Sequence, residues 1–389
     1  MEGMHDVGSG QAKPGISQTV DFGISVQKAL PAALGQLGGK RVLLVMTDSP
    51  GERGALAERM ERILSSSWVD TIGDICAQPS WSDVLRIANA LRSADTVVSL
   101  GDAPLCDAVK MARLCVANQV WMPRNVEGFR VALRDRSIPL CPARPKFIAI
   151  ATALAASEFT PMARIIDEDS GEIETFHAAA MAPDHVILDP EMTLTTSSRR
   201  WFSTGIRAVD HAIGNWCSVN RTPLSNATAL HALRLLLPAL RQVREYPDHL
   251  GARLECMSGA WLSIQGVVAG VDAGASYGIG YALWSAGDTS HEEASYVMLP
   301  HVLRYNAKVN ANRQKELLNM LGIYGSNLGD IIQDLINDLK LPARLRDAGV
   351  VHAELDNIAR DAMANQWVHT NPRRLTSQSD VLKLLQSAW

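Results

Sequence analysis

The stretch DTVVSLGDAPLCDAVKMARLCVA, residues 95–117, joins an apolar run to an amphipathic segment across a short polar turn. The run DTVVSL (95–100) is rich in Val and Leu, which is typical of a strand buried on both faces of a parallel sheet. The segment after the turn has the 3.6-residue apolar spacing of a helix. We therefore predict a strand, a turn and a helix here, the beginning of a βα unit.

The same alternation extends through the first half of the chain. Apolar runs of similar length recur at 41–47 (RVLLVMT), 146–151 (KFIAIA) and 185–190 (HVILDP), with amphipathic segments between them. Repeated βα units of this kind indicate a doubly wound parallel sheet. Residues 163–179, ARIIDEDSGEIETFHAA, place Asp-Ser-Gly between two extended runs, which predicts a β-hairpin.

Helical spacing replaces this alternation after Pro190. Segments such as TGIRAVDHAIGNWCS and NATALHALRLLLPALRQVRE are amphipathic, and several begin with Ser, Asn or Asp in capping positions. We predict three parts: a flexible N-terminal tail over 1–20, an α/β domain over 21–190, and an all-helical domain over 191–389.

Composition limits the classes of function. The 389 residues carry a formal net charge of -4 and are 47% hydrophobic, as in a globular protein of two domains. Nucleic acid is not an expected partner, because no basic stripe is present. The most apolar region, 257–287, is interrupted by Asp272 and by glycines, so no run reaches the ~18 residues of a membrane span. We expect a small-molecule substrate, no membrane partner and a cytoplasmic location.

The six cysteines are widely scattered and form no CxxC pair, which argues against a zinc ribbon or a disulfide framework. We interpret them as free thiols.

Five separated motifs resemble, in order and spacing, the iron-containing alcohol dehydrogenase family, and above all its maleylacetate reductase-like branch. They are VVSLGDAPLCDAVK, IATALAASEFTPMARI, VILDPEMTLTT, STGIRAVDHAI and VMLPHVLRYNA. The resemblance implies a Rossmann-like N-terminal domain that binds NAD(P), a C-terminal all-helical domain, and an active cleft between them where a hydride moves to or from a carbonyl carbon. It also makes a homodimer our expectation.

The first motif departs from the family pattern at the turn that receives the dinucleotide pyrophosphate. Family members usually have GGGS followed by xxDxxK here, and this chain keeps Gly101, Asp107 and Lys110 but has Asp102 and Pro104. Asp102 adds a negative charge where an anion is expected, and Pro104 removes a donor. The alternative is that GDAP is simply a well-capped helix start.

The second motif has lost polar groups as well. Thr152, Ser157 and Thr160 remain, whereas Ala153 and Ala156 replace a threonine and the glycine of the branch. A strand end that packs into an apolar interior fits the segment equally well. If NAD(P) binds, the resemblance implies contacts from five residues: Gly101, Asp107, Lys110, Thr152 and Ser157.

The metal ligands of the family are altered too. The resemblance places Arg207 at the position of an aspartate ligand, His211 and His291 at two histidine ligands, and Tyr277 at a third. A divalent cation needs three or four N, O or S donors and would not accept a guanidinium beside it. We therefore predict that no catalytic metal is bound.

Other chemistry could remain at these positions. Arg207, Asp210 and His211 have i, i+3 and i+4 spacing on a helix, and Tyr277 and Tyr281 have i, i+4 spacing. Arg207 could bind a carboxylate or enolate, the histidines could move protons, and the tyrosines could donate to a carbonyl. The alternatives are an intrahelical ion pair and core packing of the tyrosines. The predicted catalytic residues are Arg207, Asp210, His211, Tyr277, Tyr281 and His291.

Two functions follow. We favour a derived metal-free enzyme, without NAD(P), that performs acid–base chemistry such as dehydration, isomerisation or cyclisation on a small anionic carbonyl compound. The alternative is a metal-independent NAD(P)H-dependent reductase of a carbonyl acid. A non-catalytic relative is a weaker third hypothesis, because the altered positions carry other functional side chains and not apolar ones.

Overall fold

The computed structural model describes residues 17–46, 53–76, 78–135, 141, 144–286 and 291–389, without the side chains of 53, 131–135, 291 and 292. The chain divides into two compact units, whose boundary lies between Ser197 and Ser198.

The first unit contains the strands and the first five helices. Its elements are β1 (Thr19–Phe22), α1 (Val26–Leu37), β2 (Val42–Met46), α2 (Arg53–Leu64), β3 (Trp68–Ile72), α3 (Trp81–Leu91), β4 (Thr96–Gly101), α4 (Ala103–Ala117), α5 (Val126–Asp135), β5 (Lys146–Ala151), β6 (Met162–Ile166), β7 (Ile173–His177) and β8 (His185–Leu188).

Six of these strands form one parallel sheet in the order β1-β8-β5-β4-β2-β3, and β6 and β7 form a separate antiparallel hairpin. The predicted α/β fold, the strands β2, β4, β5 and β8, and the hairpin are confirmed. β1 and β3 were not predicted. Both are edge strands of mostly exposed or half-buried residues, so they lack the apolar run that marks a central strand. Residues 1–16 of the predicted N-terminal tail lie outside the described residues.

Both faces of the sheet are covered by helices. On one face, Val97 and Phe147 pack in a core cluster with residues of α3 and α4. On the other face, the next residues along, Val98 and Ile148, pack with residues of α1 and α2. Because successive side chains of a strand point to opposite faces, burial on both sides requires an uninterrupted apolar run.

The strand order reverses between β2 and β4. From β2 the chain forms β3 on one side, and it then returns through α3 to form β4 on the other side. Met46 and Leu100 are register partners near the carboxyl ends of these two strands. Ligands of doubly wound sheets bind outside such a switch point, at the carboxyl edge.

The second unit is helical, as predicted. Its helices are α6 (Ser198–Cys217), α7 (Pro223–Glu245), α8 (Leu250–Val268), α9 (Ala275–Ser285), α10 (His291–Met320), α11 (Leu328–Asp338), α12 (Leu355–Ala362), α13 (Gln366–His369) and α14 (Gln378–Ala388). Within the described part of the chain, no helix has the length and apolarity that crossing a membrane requires.

Candidate active site

The predicted residues of α6 are buried side by side. Arg207, Asp210 and His211 are 3%, 2% and 4% exposed. Arg207 Nε donates to His211 Nε2 over 3.1 Å, as the i, i+4 spacing allows. The accepting nitrogen must present a lone pair, so His211 is a neutral imidazole in this arrangement.

The guanidinium of Arg207 also lies against Tyr277 of α9. Its carbon is 3.9 Å from the centroid of the Tyr277 ring, and the ring centroids of His211 and Tyr277 are 5.8 Å apart. A desolvated cation over an aromatic face contributes about 2 kcal/mol. Arg207 is thereby held between an imidazole and a phenol.

Further aromatic side chains surround Tyr277. Its ring centroid lies 5.3 Å from that of Tyr281 and 4.7 Å from that of Trp367, and Trp284 lies 6.1 Å from Tyr281. Tyr281, Trp284 and Trp367 are half-buried. Trp367 belongs to α13 and was not predicted, because no local pattern relates it to α9. We call Tyr277, Tyr281, Trp284 and Trp367 the aromatic wall.

Glycines allow α9 to pack closely on its neighbours. A Cβ at Gly280 would lie 2.9 Å from Cα of Ser295 in α10, and one at Gly278 would lie 2.9 Å from Cγ2 of Val368 in α13. Real Cβ atoms do not approach other atoms so closely. The glycine-rich segment therefore has a packing role, and it places Tyr277 and Tyr281 beside α13.

Asp210 connects three helices. Ser276 Oγ of α9 donates to its Oδ1 over 2.7 Å, and Ser295 Oγ of α10 donates to its Oδ2 over 2.6 Å. Burial raises the pKa of the Asp210 carboxyl, while the charge of Arg207 and the two hydroxyls act in the opposite direction. With both oxygens engaged, Asp210 is suited to positioning α6 against α9 and α10.

The donor set does not fit a catalytic divalent metal. Arg207 and Tyr277 stand where the resemblance places two ligands, and the lone pair of His211 Nε2 accepts from the guanidinium. A fixed cation in contact with the imidazole opposes a second cation. Among the side chains that the structure describes, no three His, Cys, Asp or Glu form a group able to hold a metal. His291 begins α10, but its side chain lies outside the described residues, so its predicted role stays a prediction.

The predicted nucleotide turn lies in the first unit, at the carboxyl end of β4. Thr152 N donates to the Gly101 carbonyl over 3.2 Å, which joins the ends of β5 and β4. Asp102 is the N-cap of α4, and its Oδ1 accepts from Ala103 N over 2.6 Å. Pro104 has no N–H. Asp102 therefore caps α4, and the first two positions of α4 offer an anion no uncommitted backbone donor. Whether the turn also receives a pyrophosphate stays a prediction.

Lys110, Asp107 and Ser157 form a buried network behind this turn. Lys110 is 0% exposed, and its Nζ donates to the carbonyl and hydroxyl of Ser157, to the carbonyl of Met162 and to Asp107, at 2.6, 2.7, 2.8 and 3.2 Å. Ser157 Oγ in turn donates to Asp107. These three predicted cofactor residues fix α4 to the segment after β5. In a nucleotide site they would hold the turn in its shape and would not contact the nucleotide.

Two neighbours of Ser157 were not predicted as site residues. Ala156 has a φ of 60°, so its backbone keeps the left-handed conformation suited to the glycine that the resemblance implies there. Glu158 is buried, and burial raises the pKa of its carboxyl to about 7, with the charge of Asp102 acting in the same direction. Glu158 follows directly after a predicted site residue, but sequence does not reveal burial of a carboxyl.

Comparison with known proteins identifies the class. Residues 17–190 match the family described as Iron-containing alcohol dehydrogenase, and residues 201–389 match the Fe-containing alcohol dehydrogenase family, C-terminal. The chain therefore belongs to the iron-containing alcohol dehydrogenase family.

Full-length relatives refine this assignment. Dehydrogenase ALT3 of Alternaria alternata is 30% identical, over 90% of this chain and 99% of its own. Maleylacetate reductase of Burkholderia cepacia is 26% identical, over 94% of each chain. The crystal structure of maleylacetate reductase from Agrobacterium tumefaciens is similar with a TM-score of 0.79 at 26% identity, over 96% of each chain. The likeness to the maleylacetate reductase-like branch is confirmed.

The names of these relatives distinguish between the two predicted functions, acid–base chemistry without NAD(P) and NAD(P)H-dependent reduction. The relatives are named as a dehydrogenase and as reductases. Acid–base chemistry without NAD(P) finds no support among them. The comparisons favour the reductase alternative.

Proposed function

We propose that the protein is a NAD(P)H-dependent reductase of a small carbonyl acid and that it works without a catalytic metal. The observation that carries this proposal is the Arg207 guanidinium, buried against His211 and Tyr277 in a chain of this family. A metal ion in such a reaction would polarise the carbonyl and stabilise the developing alkoxide. A preorganised cation and hydrogen-bond donors can provide the same electrostatic stabilisation.

The first unit supports NAD(P)H as the cofactor through its topology. When bound, the reduced nicotinamide supplies the hydride. The switch point between β2 and β4 is where a doubly wound sheet receives a dinucleotide, and Gly101 ends β4 there. The capping contact of Asp102 with Ala103 N takes a donor that a glycine-rich turn would offer to the pyrophosphate. We therefore expect this protein to bind NAD(P)H more weakly than a protein with a glycine-rich turn does.

The side chains of the second unit are assigned the following roles. Arg207 stabilises negative charge on the substrate oxygen, and the Tyr277 hydroxyl donates a hydrogen bond or a proton to it. His211 accepts from Arg207 Nε and so sets the orientation of the guanidinium. Asp210 holds α6 against α9 and α10 through hydrogen bonds from Ser276 and Ser295. The half-buried part of the aromatic wall packs against the carbon skeleton of the substrate.

One specific observation favours acid–base chemistry without a dinucleotide as a second candidate. The Asp102 cap and Pro104 together reduce the donors available to a pyrophosphate. Titration with NADH and NADPH, described next, separates this candidate from the reductase.

The test is a calorimetric titration of chelator-treated protein with NADH and with NADPH, followed by turnover assays with maleylacetate and other carbonyl acids. We expect one nucleotide to bind and to be oxidised in the presence of a carbonyl acid, with no requirement for added metal. Arg207→Gln should lower kcat by roughly 10²-fold or more, the loss typical when one oxyanion donor is removed. Failure of both nucleotides to bind would refute the reductase and favour the second candidate.

A further inference from the structure

A cavity of about 550 Å³ lies within the second unit, formed by the beginning of α6, the end of α7, the beginning of α8 and the residues after α11. Its volume is in the range of sites that bind small organic molecules. Every lining residue belongs to the second unit. The proposed catalytic residues do not line it.

The lining carries an excess of positive charge. Arg199, Arg244, Arg253 and Lys340 all line the cavity. Two carboxylates oppose them: Glu293 pairs with Arg199 over 2.7 Å, and Asp248 acts on Arg253. The lining itself includes four cations and no carboxylate, and a cavity lined in this way favours an anionic ligand.

One of these cations is firmly built into the wall. Arg253 is 4% exposed, its Nε donates to the Pro247 carbonyl over 2.6 Å, and its guanidinium carbon is 4.6 Å from the centroid of the Trp201 ring. These contacts fix the plane of the guanidinium, which suits it to recognising phosphate or carboxylate oxygens. The other cations are half-buried or exposed, so they can adjust to a ligand.

The start of a helix also favours an anionic ligand. Ser198 begins α6, a helix of 20 residues, so the positive end of the helix dipole lies at the cavity. The rest of the wall is apolar, from side chains such as Phe202, Val243 and Leu341.

We propose that this cavity binds a phosphate monoester with an apolar or aromatic body. A phosphate monoester carries about -1.5 to -2 charges at pH 7, so four cations in the lining attract it more strongly than a carboxylate, which carries one. The apolar wall provides a surface for the organic part. The site is separate from the proposed reductase chemistry and does not depend on it.

The experiment is isothermal titration calorimetry of the full chain with three probes: 1-naphthyl phosphate, 1-naphthoate and inorganic phosphate. We expect 1-naphthyl phosphate to bind at least about tenfold more tightly than the other two, since only it offers both the dianion and the apolar body. Added salt should weaken its binding, because the contacts are between charges.

The variant is the double substitution Arg244→Gln with Lys340→Gln, which removes two adjustable cations and keeps the buried Arg253. It should lose at least about tenfold in affinity for 1-naphthyl phosphate. Arg241→Gln, on α7 but in an exposed pair with Asp338, is the matched control and should leave the affinity unchanged. Undetectable binding, equal binding of 1-naphthoate, or an affinity that the double substitution does not change would each overturn the proposal.

Discussion

Replacing Lys110 by methionine distinguishes a structural lysine from a cofactor ligand. Lys110 is 0% exposed, and its ammonium group donates to Ser157, Met162 and Asp107. Methionine fills a similar volume but removes the buried cation of Asp107, whose carboxylate then keeps only the more exposed Arg164, with Nε 3.5 Å from Oδ2. Breaking a buried pair from one side costs about 3–5 kcal/mol. For a domain of this size, such a loss corresponds to a fall in Tm of roughly 6–20 °C.

Thermal unfolding followed by circular dichroism measures this effect. Lys146→Met is the matched control, because Lys146 pairs with Asp184 while half exposed, and it should cost at most about 1 kcal/mol. Adding Asp107→Asn to Lys110→Met should recover part of the loss, since the buried charge that lost its buried partner is then removed. An unchanged Tm together with a large loss of NAD(P)H affinity would refute the structural role and show that Lys110 contacts the nucleotide.

Three further substitutions test the nucleotide turn, the packing of α9 and the burial of Glu158. Asp102→Asn keeps a capping oxygen but removes a charge near the expected pyrophosphate, so NAD(P)H should bind about 5–30-fold more tightly by calorimetry; unchanged or weaker binding would contradict the proposed place of the nucleotide. Gly280→Ala forces a Cβ to within 2.9 Å of Ser295, so Tm and turnover should both fall, and a protein as stable as wild type would count against the close packing of α9. Burial holds the folded pKa of Glu158 at about 7, above its ordinary value of 4.5. The corresponding stability is present in full below the ordinary pKa and is lost as pH rises from there through about 7. Glu158→Gln should remove about 3 kcal/mol of that loss in denaturant titrations, and equal pH profiles would refute it.

The central sheet was predictable from sequence because its inner strands are buried on both faces. β2, β4, β5 and β8 read as uninterrupted apolar runs for that reason. The edge strands β1 and β3 were missed, since half-exposed residues carry no such signal. The Asp102 cap was foreseen as an alternative, because capping depends on local chemistry that a short stretch of sequence contains.

The candidate site was predictable only where helical spacing brings residues together. The contact between Arg207 and His211 follows from i, i+4 geometry, as does that between Tyr277 and Tyr281. The position of Trp367 depends on the packing of α13 against α9, which no local pattern encodes. The burial of Lys110 likewise depends on the packing of the segment after β5 against α4.

The most direct test of the reductase proposal uses NADH or NADPH with deuterium at the transferable position. Chelator-treated enzyme is incubated with a carbonyl acid that it converts, and the product is analysed by mass spectrometry. The proposal predicts an alcohol that carries one deuterium on the former carbonyl carbon, with one nicotinamide oxidised per product. A product that forms without deuterium, or without oxidation of the nucleotide, would contradict it.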